Sequence, residues 1–70
     1  MKSNEPMPPN SANHNPDPAY LRGLIERAGL SQREAARRIG VSERVMRYYL
    51  ADPPVGKPAP YPVQYALERL

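Results

Sequence analysis

Seventy residues with no cysteine make one small domain without disulfides, whose core is only marginally stable unless tight helix packing or self-association adds to it; no apolar run of about 18 residues and no signal-peptide core occurs, so a soluble cytoplasmic protein is expected. The net charge of +3 lies entirely between Ser31 and Ala51, where five arginines meet two glutamates, a patch that suits either a polyanion such as nucleic acid or merely the solvated heads of good helix formers. With His14 the only histidine, no glycine-rich phosphate loop and no carboxylate pair in an evident cleft, the sequence speaks against an enzyme, a metal site, a cofactor or a small-molecule ligand.

Residues 1–16 carry Pro6, Pro8, Pro9 and Pro16 among Asn, Ser and His. With almost nothing to bury, they read as a disordered or loosely docked arm ahead of a folded domain over residues 17–70. Lys2 is the arm's only basic residue besides neutral His14, which argues against its reading a DNA groove. Asp17 is then an N-cap and Pro18 the first helical residue, where a missing N–H costs nothing. Leu21, Leu24, Ile25 and Ala28 fall on one apolar stripe, and Gly29 is a helix stop. Gly23 inside this helix is either a close-packing point or a tolerated defect.

The next helix opens with "SQRE", a capping box in which the Ser31 hydroxyl accepts from the Glu34 N–H and the Glu34 carboxylate reaches back to the Ser31 N–H. Ala35, Ala36 and Ile39 form its inward face, and Glu34 and Arg38 make an i,i+4 pair outside. Gly40 ends it, Val41 plugs the core and Ser42 caps a third helix, "ERVMRYYLA". Two helices joined by so short a turn are a helix-turn-helix. Counting Gln32 as the first of the twenty-residue pattern, Ala36 falls on the small residue at position five and Gly40 on the turn glycine at nine. Ala35, Ile39, Val41, Met46 and Tyr49 fall on buried positions four, eight, ten, fifteen and eighteen. The small residues let the two helices cross closely, so that the third projects outward.

Met46, Tyr49 and Leu50 are spaced to face inward, leaving Arg44, Arg47, Tyr48 and Ala51 on the far side. A helix in the major groove reads bases chiefly from its N-terminal half, and arginine fits guanine O6 and N7 with two hydrogen bonds. Arg44 is therefore the first base-reading residue; Arg47 reads a second base or clamps a phosphate. Gln32 and Arg33 sit where a helix start favours a phosphate, and Ser42 and Tyr48 complete the backbone contacts, with coverage of the core edge as the other use of Tyr48. Val45 meets a thymine methyl or packs partly into the core. Glu43 is either a first-turn acid favoured by the helix dipole or an acceptor for a cytosine amino group.

After Leu50 the segment "ADPPVGKPAPYP" is a stiff proline-rich loop; Lys57 in it either reaches the DNA backbone or keeps the loop solvated. Pro62 starts a last helix whose stripe Val63, Ala66, Leu67 and Leu70 is expected to share in both the monomer core and a dimer seam. Tyr61 and Tyr65 are interface aromatics or plain core. The expected fold is thus all-α, about four helices including a helix-turn-helix, with a disordered N-terminal arm.

"NPDPAYLRGLIERAGLSQREAARRIGVSERVMRYYLA" followed by "PAPYPVQYALERL" resembles the phage-repressor-like helix-turn-helix family, and more narrowly the anti-CRISPR-associated repressors encoded beside anti-CRISPR genes in phages and other mobile elements. The resemblance covers about residues 13–70, and "VMRYYL" with "PAPY" is its most distinctive part. It implies a homodimer that binds inverted repeats in the promoter of its own operon, in a bacterial host at the nucleoid, and represses transcription. It also implies a DNA role for Arg33 and Arg44. Relatives carry a second basic residue directly after Arg33; here that position is Glu34, so no contact is carried over to it. A dimer would present two recognition helices about 34 Å apart to double-stranded DNA, with binding that falls steeply as salt rises. The rival readings are a protein-binding module, antitoxin-like or an inhibitor that uses the same scaffold, and a nonspecific nucleic-acid binder.

Overall fold

The computed structural model describes residues 11–70; most of the expected arm, residues 1–10, lies outside them. The described chain is all-helical: a single 3-10 turn at Ser11–Asn13, then α1 (Pro18–Arg27), α2 (Gln32–Ile39), α3 (Glu43–Leu50) and α4 (Tyr61–Leu67). Among the described residues no helix is long and apolar enough to cross a membrane.

The first three helices begin and end where their local chemistry dictates. The Asp17 carboxylate accepts from the Ala19 N–H at 3.1 Å ahead of Pro18, and Ser31 and Ser42 accept from Glu34 and Val45 N–H, each at 3.1 Å. Each cap satisfies a backbone donor that the first helical turn leaves unpaired. Gly29 and Gly40 follow α1 and α2 at φ +72° and +83°, the left-handed region in which a side chain is strained. The capping box forms only in part, because the Glu34 carboxylate turns outward to Arg37 and Arg38, 3.5 Å from each.

The core is Leu21 and Ile25 of α1, Ala35 and Ala36 of α2, Met46 and Leu50 of α3, Ala59 of the following loop and Leu67 of α4. α2 packs on α3 and α4, and α1 packs on the same two helices. Ala28, placed on the apolar stripe by its spacing, is instead the exposed C-cap of α1. Gly23 has open space where a Cβ would stand. It is therefore a tolerated defect, not a point of close packing.

The described end of the expected arm is docked rather than loose. Asn15 N–H donates to Gln64 Oε1 at 2.7 Å, Gln64 Nε2 donates to the Asn13 carbonyl at 3.0 Å, and His14 Nε2 donates to the Ala59 carbonyl at 2.7 Å. Gln64, 1% exposed, is the buried polar residue of the described fold, and these bonds offset the cost of placing its amide in the core. The folded unit thus begins before Asp17, and residues 13–15 run across α4.

Candidate nucleic-acid interface

The turn between α2 and α3 sets the site. Gly40 N–H and Val41 N–H both donate to the Ala36 carbonyl at 3.0 Å, closing α2 while the chain reverses into the Ser42 cap. Ala35 and Ala36, 0% and 2% exposed, carry so little side chain that α3 settles directly on α2. Met46 and Leu50 then anchor the inner face of α3, and the helix period turns Arg44 and Arg47 outward.

Both arginines are exposed. Arg44, Arg47, Gln32 at the start of α2 and half-buried Tyr48 surround one cleft of about 420 Å³, with Val55 of the loop on its rim. The structure therefore brings together four of the residues singled out in the sequence. Arg33 lies at the neighbouring helix starts, its Nε 3.5 Å from Glu43 Oε2. Ser42 is exposed beside it, its oxygen accepting from Val45 and its O–H left to donate. Val45 is 36% exposed and stands outside the core, in contrast to the packing reading of that residue.

The ion pairs sort the arginines of the patch. Glu34 holds Arg37 and Arg38, and Glu43 holds Arg33. Arg44 and Arg47 make no ion pair among the described residues, so two unpaired cations stand side by side on α3. Such charges contribute most when a polyanion arrives, since no internal partner has to be displaced first.

The loop behind α3 is hydrogen-bonded to it. Lys57 N–H donates to the Tyr48 carbonyl and Gly56 N–H to the Asp52 carbonyl, both at 3.0 Å. The Lys57 ammonium sits 5.8 Å from the Tyr48 ring centroid, a cation–π contact that ties the loop's one lysine to α3. Arg22 of α1 donates to the Leu50 carbonyl and lies 3.8 Å from Asp52, closing the carbonyl end of α3 as a basic side chain does at a helix C-terminus. The Arg22 contacts join segments about thirty residues apart, and the loop contacts depend on how a proline-rich segment turns, so no local pattern in the sequence carries them. Only the proline-poor gap "VGK" within the loop hints at where the chain turns back.

The expected dimer residues divide. Leu67 is 2% exposed within a single chain, so of the shared role expected for its stripe it takes the part in the chain's own core. Tyr61, Val63, Tyr65 and Ala66 are half-buried, and Leu70 is 37% exposed. Tyr61 meets Tyr65 edge-on at 6.1 Å and His14 at 5.7 Å, while the Arg69 guanidinium lies 3.8 Å over the Tyr65 ring. Arg69 also pairs with Glu68 at 3.7 Å. Beneath them the Tyr20 hydroxyl donates to the Glu68 carboxylate, which also accepts from Gln64 Nε2 at 3.0 Å. The Tyr20 and Gln64 hydrogen bonds hold the Glu68 carboxyl below its ordinary range, and the same bond to Glu68, then burial, pushes the Tyr20 hydroxyl up.

Compared with known proteins, the chain matches no family model and no curated sequence.

Proposed function

We propose that this chain is a sequence-specific DNA-binding repressor that acts as a homodimer on an inverted repeat in the promoter of its own operon, one that carries anti-CRISPR genes. The observation that carries the reading is the pair Arg44 and Arg47: exposed, free of ion pairs among the described residues, and facing one cleft with Gln32 and Tyr48 on an outward helix of a helix-turn-helix. Arg44, one residue into α3 from its first position, lies in the half of the helix that reads base edges, and its guanidinium matches guanine O6 and N7. Arg47, one turn on, reads a second base or clamps the backbone. Gln32, Arg33, Ser42 and Tyr48 contact phosphates and fix the register, as most protein–DNA hydrogen bonds do. Tyr61, Val63, Tyr65, Ala66 and Leu70 supply the seam between copies. Repression follows from occupancy, because a promoter covered by the dimer excludes polymerase.

The test is fluorescence-anisotropy binding to the duplex upstream of the chain's own operon beside a scrambled duplex. The wild type is expected to prefer the former by about 10³-fold or more, at two chains per site. Arg44→Ala is expected to lose about 1–3 kcal/mol of that preference with the fold unchanged, since Arg44 is exposed and makes no ion pair among the described residues. Equal binding to both duplexes overturns the reading. Binding to neither turns it toward a protein partner.

A further inference from the structure

The ion pair between Arg33 and Glu43 joins the first turns of the two helices that build the proposed DNA face, and both partners are open to solvent: 72% and 46% of their side-chain surfaces are exposed. An acid at that place needs a reason, because it repels the phosphates that the surrounding arginines attract. Helix-dipole compensation alone would be met by an acid with no partner on α2. Glu34 does the same to Arg37 and Arg38. The pattern leaves Arg44 and Arg47 as the arginines of α2 and α3 that no acid engages among the described residues.

The geometry points to Glu43 as a residue that sets specificity by neutralising Arg33: it occupies that guanidinium when DNA lies loosely on the face and yields it only when α3 is fully seated. This rests on the DNA-binding reading above. Nonspecific affinity is electrostatic and grows with the number of phosphates neutralised. Base-directed affinity comes from Arg44 and Arg47, which no acid engages. An acid that removes one cation from the nonspecific count therefore lowers binding to wrong sequences more than to the right one. On the right sequence the base contacts bring the backbone close enough for a phosphate to displace the Glu43 carboxylate, and an exposed pair is weak enough to be displaced.

The experiment measures wild type, Glu43→Gln, Arg33→Ala and the double variant on both duplexes, from about 50 to about 200 mM salt. Glu43→Gln frees one cation, so its affinity for the scrambled duplex is expected to fall with salt more steeply by about 0.9 in the log–log slope, roughly an extra threefold across that range. At the low-salt end this variant should bind the scrambled duplex more tightly than the wild type does, by about threefold or more, and the preference for the native duplex should shrink. In the Arg33→Ala background the same substitution should change neither, because the cation it would free is gone. A thermal melt by circular dichroism checks that every variant is folded. If the wild type discriminates but Glu43→Gln leaves the scrambled-duplex slope and affinity unchanged, or shifts them equally without Arg33, the inference is overturned while the repressor reading stands. A wild type that binds both duplexes alike overturns the repressor reading, and the inference with it.

Discussion

Two glycines that look alike in the sequence have opposite parts in the structure. Gly23 sits within α1 with nothing within 4 Å of a Cβ built there, so it adds only backbone freedom to the unfolded chain. Gly23→Ala is expected to raise stability by up to about 1 kcal/mol. Gly56 lies in the loop behind α3, where a Cβ would stand 1.9 Å from the Ala51 carbonyl oxygen and 2.9 Å from that of Tyr48. Those atoms are backbone and cannot swing away, so Gly56→Ala must push the loop off α3 and lengthen the bond from Lys57 N–H to Tyr48. Overpacking of this kind costs about 1–3 kcal/mol. Urea denaturation of the two variants is the check: midpoints that move in opposite directions are expected, and a neutral Gly56→Ala would show that the loop is not held.

At the scale of elements, α1, α2 and α3 were legible because their determinants are local. Asp17-Pro18, Ser31 and Ser42 mark the starts, Gly29 and Gly40 mark two of the ends, and the spacing of Ala35, Ala36, Met46 and Leu50 gives the buried faces. Arg44, Arg47, Gln32 and Tyr48 could be assigned to one surface for the same reason. α4 was only half legible. Its apolar stripe Val63, Ala66, Leu67 and Leu70 marks Leu67 as an inner residue, but the other fully buried position is the polar Gln64, which lies off that stripe. Gln64 goes inward because residues 13–15 bring backbone partners to it from about fifty positions away, and no local pattern carries that information. Ala59 is fully buried for a similar reason: its carbonyl accepts from His14, and its methyl closes the core over a loop that composition alone marks as exposed. Gln64→Ala would strip partners from the Asn15 N–H and the Asn13 carbonyl and leave a void beside Leu67. A loss of about 2–3 kcal/mol is expected from the missing hydrogen bonds. Amide exchange gives the sharper readout: the Asn15 N–H should lose protection by a larger factor than the amides of α2 and α3, and uniform loss across the chain would argue against a local clasp.

The same clasp gives the whole molecule a pH dependence with two limbs. Glu68 ties α4 to α1 through Tyr20 and is reinforced by Gln64, which places the carboxyl below its ordinary value of 4.5 and the Tyr20 hydroxyl above 10.0. For the carboxyl, a lowered folded-state pKa means that its stabilisation is complete above the unfolded value and is lost as pH falls through the folded one. For the hydroxyl, a raised folded-state pKa means that stabilisation is complete below the unfolded value and is lost as pH rises through the folded one. Stability should therefore be level across the neutral range, fall in acid below the usual carboxylate region and fall again in alkali above the usual tyrosine region. Glu68→Gln keeps an acceptor for Tyr20 but cannot titrate, so it should lower the neutral plateau modestly while flattening the acid limb. Tyr20→Phe removes the donor and should flatten the alkaline limb. Because Tyr20 lies on α1 and Glu68 caps α4, away from Arg44 and Arg47 on α3, thermal melts of the two variants should depend on pH less than the wild type's, while the duplex discrimination expected under the proposed function should stay at the wild-type ratio at neutral pH. An acid limb that persists unchanged in Glu68→Gln would assign the acid sensitivity to another carboxylate, with the ion-paired Glu34 and Glu43 of α2 and α3 the next to substitute.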